Sequence, residues 1–119
     1  MGDLSKNFSM KEFECKCGCG KVFVDIRLLQ ALEVVRSQYG KGMKITSGYR
    51  CEKHNAAEGG KPDSAHLKGL AADIGVDNSK DRYTLIRLLA NRFSRVGIGK
   101  TFIHIDVDET KPQNVCWMY

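Results

Sequence analysis

The segment SAHLKGLAAD, Ser64 to Asp73, sets a histidine seven residues ahead of an aspartate, and FIHIDVD, Phe102 to Asp108, supplies a second histidine among further acids. Asp73 lies in an otherwise apolar run, AADIGV. An ionised carboxylate buried there costs several kcal/mol, as an order of magnitude, unless a cation, a metal or hydrogen-bond donors compensate it. Read as a strand, the run puts Ala71, Asp73 and Gly75 on one face and Ala72, Ile74 and Val76 on the other. The second face is core, whereas the first has only small neighbours and leaves room against the carboxylate. The same alternation puts Phe102, His104, Asp106 and Asp108 on one face, with Ile103, Ile105 and Val107 opposite. His66, Asp73 and His104 therefore make a candidate His/Asp/His set, and three protein ligands suit a catalytic zinc whose fourth position is kept for water. Such a metal would also stabilise ionised Asp73. The spacing is not the helical H-E-x-x-H pattern, because Gly69 and the strand-like AADIGV argue against one helix carrying both His66 and Asp73. Taken singly, a loop histidine is more often an ordinary surface or hydrogen-bonded residue than a metal ligand.

A second cluster of chemistry-bearing residues is ECKCGCGK, which holds Cys15, Cys17 and Cys19 of the five cysteines. Neighbouring C-x-C cysteines rarely pair with each other. The segment reads as a small zinc or redox site, with Cys51 or Cys116 as a further ligand, although the two separated C-x-x-C knuckles of a zinc ribbon are absent. Disulfides from Cys51 or Cys116 to the cluster are the alternative, and free thiols are what a cytosolic origin favours.

The elements that must position these residues follow from periodicity and capping. Ser9 and Glu12 form a capping box that opens a short N-terminal helix ending at the cysteine turn. Apolar residues from Ile26 to Tyr39 recur at helical spacing after a candidate N-cap, Asp25, and Gly40 and Gly42 supply the stop. Met43 to Ser47 reads as a strand. Cys51 to Asp63 is polar and contains Gly59, Gly60 and Pro62, so loop is expected there. A second long helix is expected from Asn78 or Ser79 to about Phe93, with Leu85, Leu88, Leu89 and Phe93 buried. The strands RVGIG and TFIHIDV follow, joined near Lys100. This order predicts an α+β fold, a small, mainly antiparallel sheet packed with two main helices.

The chain has 119 residues, enough for one domain spanning 1–119 with a single modest core. Its 42% hydrophobic and 28% charged content is ordinary for a soluble globular protein. No apolar run approaches the roughly 20 residues that span a bilayer, so no membrane insertion is expected. The N-terminal residues MGDLSKNFSMKEFE lack an apolar signal region, which predicts synthesis in a cytoplasm and release by other means if the protein acts outside it. A net charge of +5 suits polyanionic surroundings, whether nucleic acid, anionic membrane or bacterial cell wall. Nucleic acid is not expected as a partner, because no groove-reading helix or stacking motif accompanies the charge. A monomer is expected.

The segments ITSGYRCEKHN, GGKPDSAHLKGLAADI and RVGIGKTFIHIDVD, together with the N-terminal FSMKEFECKCGCG, resemble the D-alanyl-D-alanine carboxypeptidase family of zinc peptidases, with its Hedgehog-like α+β fold. The signature is S-x-H-x-x-G-x-A-x-D followed by H-x-D, and the resemblance covers nearly the whole chain. It implies zinc held by His66, Asp73 and His104. It further implies hydrolysis of bonds next to D-amino acids in bacterial peptidoglycan peptides, by carboxypeptidase or endopeptidase action. A small chain without a signal is similar to the phage endolysins among its members.

The resemblance also assigns roles. Arg50, in SGYR, stands where the family places an arginine that binds substrate or transition state. Several subfamilies carry Glu or Asp three residues before the last zinc histidine, but that position is Thr101 here, of opposite strand parity to His104. Asp106 is then the candidate general base, the alternative being that it orients a zinc ligand. His54 and Ser64 are weaker candidates for substrate binding; His54 also reads as a loop histidine, and Ser64 as a cap for the turn before His66. The competing reading from Thr101 is a non-catalytic metal-binding module of cell wall or phage on the same fold.

Overall fold

The computed structural model describes residues 2–119. Helix α1 covers Met10–Phe13, and the Glu12 carboxylate accepts from the Ser9 amide at 2.7 Å, one half of the expected capping box. Helix α2 covers Ile26–Tyr39; Asp25 caps it by accepting from the Arg27 amide at 2.8 Å, and Gly40 ends it. Strand β1, Lys44–Ser47, precedes a short helix, α3, at Glu52–Ala57. Loop was expected over α3. The glycines and proline that suggested it all lie C-terminal to Ala57, while EKHNAA itself contains no breaker and takes Cys51 as its N-cap. A 3-10 turn, Ala65–Lys68, leads into β2, Ala71–Gly75. Helix α4, Ser79–Arg92, is capped by Asn78, whose side chain accepts from the Asp81 amide at 2.8 Å.

Strands β3, Arg95–Ile98, and β4, Phe102–Asp106, form the expected hairpin-like pair, and β5, Val115–Met118, completes a five-stranded sheet. The order is β1-β2-β4-β3-β5, antiparallel throughout except that β5 runs parallel to β3. The fold is thus α+β with a mostly antiparallel sheet. Strand β5 was not foreseen. It lies at the edge, and its VCWM alternates half-buried with exposed residues rather than core with surface.

One face of the sheet carries Ile45, Ala72, Ile74, Val96, Ile103 and Ile105, which join Leu28, Leu32, Val35, Leu85 and Leu89 of the two long helices in one hydrophobic cluster. Burial of such side chains contributes roughly 1.5–3 kcal/mol each and is what holds the sheet against the helices. The opposite face is thereby left for polar chemistry. No helix among the described residues is long and apolar enough to cross a membrane.

Candidate metal centre

The central pair β2 and β4 carries the histidines and acids, and its register decides whether they meet. Asp73 stands opposite His104 and Ala71 opposite Asp106. The alternation that buries Ile74 and Ile103 on the core face therefore turns Asp73, His104 and Asp106 together onto the other. His66 arrives from the 3-10 turn, where Ser64 accepts from the His66 amide at 3.3 Å and so fixes the entry of the chain. The three expected ligands converge: His66 Nε2 is 3.3 Å, and His104 Nδ1 2.9 Å, from Asp73 Oδ1. All three are buried, at 3%, 6% and 6% exposure for His66, Asp73 and His104.

Each imidazole is oriented through its far nitrogen. His66 Nδ1 lies 2.6 Å from the Gly48 carbonyl, which can only accept, so Nδ1 holds the proton and the Nε2 lone pair faces Asp73. His104 is reversed. Its Nε2 donates to Asp106 Oδ2 at 2.8 Å, leaving Nδ1 toward Asp73. Asp106 is 2% exposed, and its other oxygen accepts from Arg95 Nε at 2.7 Å and from the Asp108 amide at 3.1 Å. Both of its oxygens are engaged inside the protein. Burial would raise the Asp106 carboxyl, but His104, the Asp108 amide and Arg95 outweigh it and hold it below its ordinary value.

Asp73 shows the same balance more strongly. Burial raises it, yet His104 and His66 bring it well below the usual carboxylate range. Arg50 Nη2 adds a contact at 3.3 Å to Asp73 Oδ2, with Arg50 Nε donating to Ser47 Oγ at 3.0 Å and Nη1 to Asn55 Oδ1 at 3.4 Å. A buried acid ringed by two histidines and an arginine is a compensated one, which accounts for its position in an apolar strand.

The donor set fits zinc. Two imidazoles and one carboxylate, with ligand atoms within 4.8 Å of one another, match the spacing that bonds of about 2.0–2.2 Å to a shared ion require. The hydrogen bonds to Gly48 and Asp106 are the support that metal-binding histidines use.

These residues line a cleft of about 1030 Å³, together with Arg50, Ser64 and Asp106. Thr101 lines it too, because it precedes β4 and lies outside the strand alternation that set it apart from His104. His54 does not line the cleft; its ring lies 3.9 Å from the Glu58 carboxylate. Three contributors escaped the sequence reading. Arg95 braces Asp106, Trp117 sets its ring 5.5 Å from that of His104, tilted by 51°, and 4.9 Å from the Arg95 guanidinium, and Tyr119 stands 6.4 Å from His104. The signal that could have found Arg95 is the period of two in RVGIG, which sets Arg95 and Gly97 on the face opposite Val96 and Ile98. The Trp117 ring requires that glycine, since a Cβ at Gly97 would lie 2.6 Å from it.

A family model described as Peptidase M15 matches residues 6–108. The chain belongs to that family. Membership supports a zinc-dependent peptidase, a hydrolase, and the matched region includes His66, Asp73 and His104. A search of curated proteins found no match.

Proposed function

We propose that this M15 peptidase hydrolyses peptide bonds next to D-amino acids in bacterial peptidoglycan, as a carboxypeptidase or endopeptidase, with zinc held by His66, Asp73 and His104. The observation that carries the reading is the convergence of those three buried side chains on one point, at the floor of a cleft roomy enough for a short peptide. Zinc in that position would supply Lewis acidity and lower the pKa of a water molecule toward neutrality.

The protein's own groups supply the rest. Gly48 and Asp106 hold the two imidazoles in their ligating tautomers. Arg50 is placed to stabilise the negative charge that develops on the substrate carbonyl oxygen, and its contacts with Ser47 and Asn55 fix the guanidinium before substrate arrives. Trp117 and Tyr119 wall the cleft on the β5 side and narrow the access of water to His104. We assign Asp106 the orientation of His104 rather than proton transfer, because Arg95 and the Asp108 amide occupy the oxygen that His104 leaves. Other carboxylates lining the cleft are Glu58 and Asp63. Ser64 caps the His66 turn and borders the cleft, where it can contact a bound peptide.

Thr101, without a carboxylate at the position where several subfamilies carry one, favours a second reading, a non-catalytic module that binds wall peptides through the same metal. Mass analysis of muropeptides before and after incubation separates the two. New products from the wild-type protein, absent with His66→Ala, support the peptidase and identify the bond by the mass lost or cross-link opened. Unchanged muropeptides that are nevertheless retained by the zinc-loaded protein would favour the binding module. The same comparison tests action on cell-wall peptides.

A further inference from the structure

A second set of ligand-bearing side chains lies away from His66. The sulfurs of Cys15, Cys17, Cys19 and Cys51 all lie within 4.8 Å of one another. Cys15 to Cys17 is 3.4 Å, and Cys51 is 3.7 Å from each of the two. A tetrahedron of sulfurs about zinc, with bonds of about 2.3 Å, has edges of about 3.8 Å. A disulfide requires about 2.05 Å, and none of these three pairs approaches that. Cys116 is outside the group, exposed on β5.

The backbone is shaped to the same end. Gly18 and Gly20 have φ of 88° and 77°, the left-handed region that glycine enters at no steric cost, and they let CKCGCG fold back within a few residues. The Cys15 amide closes this loop by donating to the Lys21 carbonyl at 2.9 Å. Two further amides aim at sulfur: that of Cys51 at Cys15 Sγ and that of His54 at Cys51 Sγ, each at 3.4 Å. Donors at this spacing favour the thiolate form that a metal needs.

We propose that Cys15, Cys17, Cys19 and Cys51 bind one zinc ion as a closed structural centre, which ties the N-terminal loop to the segment carrying Arg50. Four sulfurs leave no open position for water, so this centre has no hydrolytic role. Binding replaces the thiol protons by the metal, releases them to solvent and moves no electrons. Its place in the fold gives it a purpose. Cys51 directly follows Arg50, whose amide donates to the His66 carbonyl at 3.1 Å, and the Tyr49 amide donates to the Phe13 carbonyl at 2.8 Å. The Gly48 carbonyl in the same segment orients His66. A metal fixing Cys51 to the Cys15 loop therefore fixes one end of the chain segment that positions both Arg50 and His66.

This centre stands independently of whether the His66 site is catalytic. The test is cobalt(II) loading of the full chain, purified under reducing conditions, read by elemental analysis and absorption. We expect about two cobalt ions per wild-type chain and an intense sulfur-to-cobalt charge-transfer band in the near ultraviolet. His66→Ala should keep the band and lose about one ion, whereas Cys19→Ser and Cys51→Ser should weaken or lose the band and keep the ion at His66. If the cysteine variants do not fold, the wild-type and His66→Ala spectra decide alone. A wild-type protein without the band overturns the proposal, as does a single ion that His66→Ala removes. A single ion that His66→Ala retains, with the band, supports this centre and overturns the His66 site instead.

Discussion

Arg50 and Asp106 make different demands on one small site, and each can be tested by a change of few atoms. Arg50 contacts Ser47, Asn55 and Asp73 through three different nitrogens, a planar arrangement that a lysine ammonium cannot reproduce. Arg50→Lys should therefore lower kcat by roughly 100-fold while zinc content stays unchanged, as elemental analysis and steady-state kinetics would show. Equal turnover in the variant would remove Arg50 from the reaction. Asp106→Asn keeps the shape but offers His104 Nε2 a weaker acceptor and leaves Arg95 without its anion. The expected result is a loss of zinc affinity of about 10–100-fold, with activity restored in part by excess zinc. Full zinc affinity combined with collapsed turnover would instead make Asp106 the proton carrier.

Among the elements, the two long helices, α1 and the central strands were legible because each obeys one strong local rule. Asp25, Gly40 and Asn78 cap where their side chains or backbone freedom allow, and AADIG and FIHID alternate between core and chemistry. The register that sets Asp73 opposite His104 was not written in either strand alone, since it arises from pairing across 31 residues of chain. Helix α3 was hidden by the glycines that follow it. Strand β5 was hidden because its pattern serves an edge, with Val115 and Trp117 turned one way and only half covered. The choice of Cys51 over Cys116 as companion to the cysteine loop likewise needed the fold. Because β5 brings Trp117 over both His104 and Arg95, Trp117→Ala should raise KM several-fold and leave zinc stoichiometry intact, as kinetics on a defined muropeptide would measure. An unchanged KM would show that the β5 wall does not touch the peptide.

For the molecule as a whole, the acid limit of stability should be set in part by Asp108, which follows the last central strand and is fully buried. Burial alone would raise its carboxyl, but donation from the Thr110 hydroxyl and amide, and the Lys68 ammonium at 3.1 Å, outweigh it and bring the value down to about 2. Lys111 at 3.8 Å adds a second cation, and Asp106 accepts from the Asp108 amide. A carboxyl whose folded pKa lies below its unfolded value of about 3.9 stabilises fully above that value, and the contribution is lost as pH falls through the folded one. The interval from about pH 4 to about pH 2 is therefore where this contribution disappears, and near neutrality it amounts to about 2–3 kcal/mol. Urea unfolding of Asp108→Asn should show a midpoint clearly below that of the wild-type protein near pH 7, with the two converging as pH approaches 2. A gap that persists undiminished in acid would mean that Asp108 acts through packing and neutral hydrogen bonds. Convergence would show that its charge, held by Lys68 and Thr110, secures the turn after β4 and with it the end of the strand that carries His104.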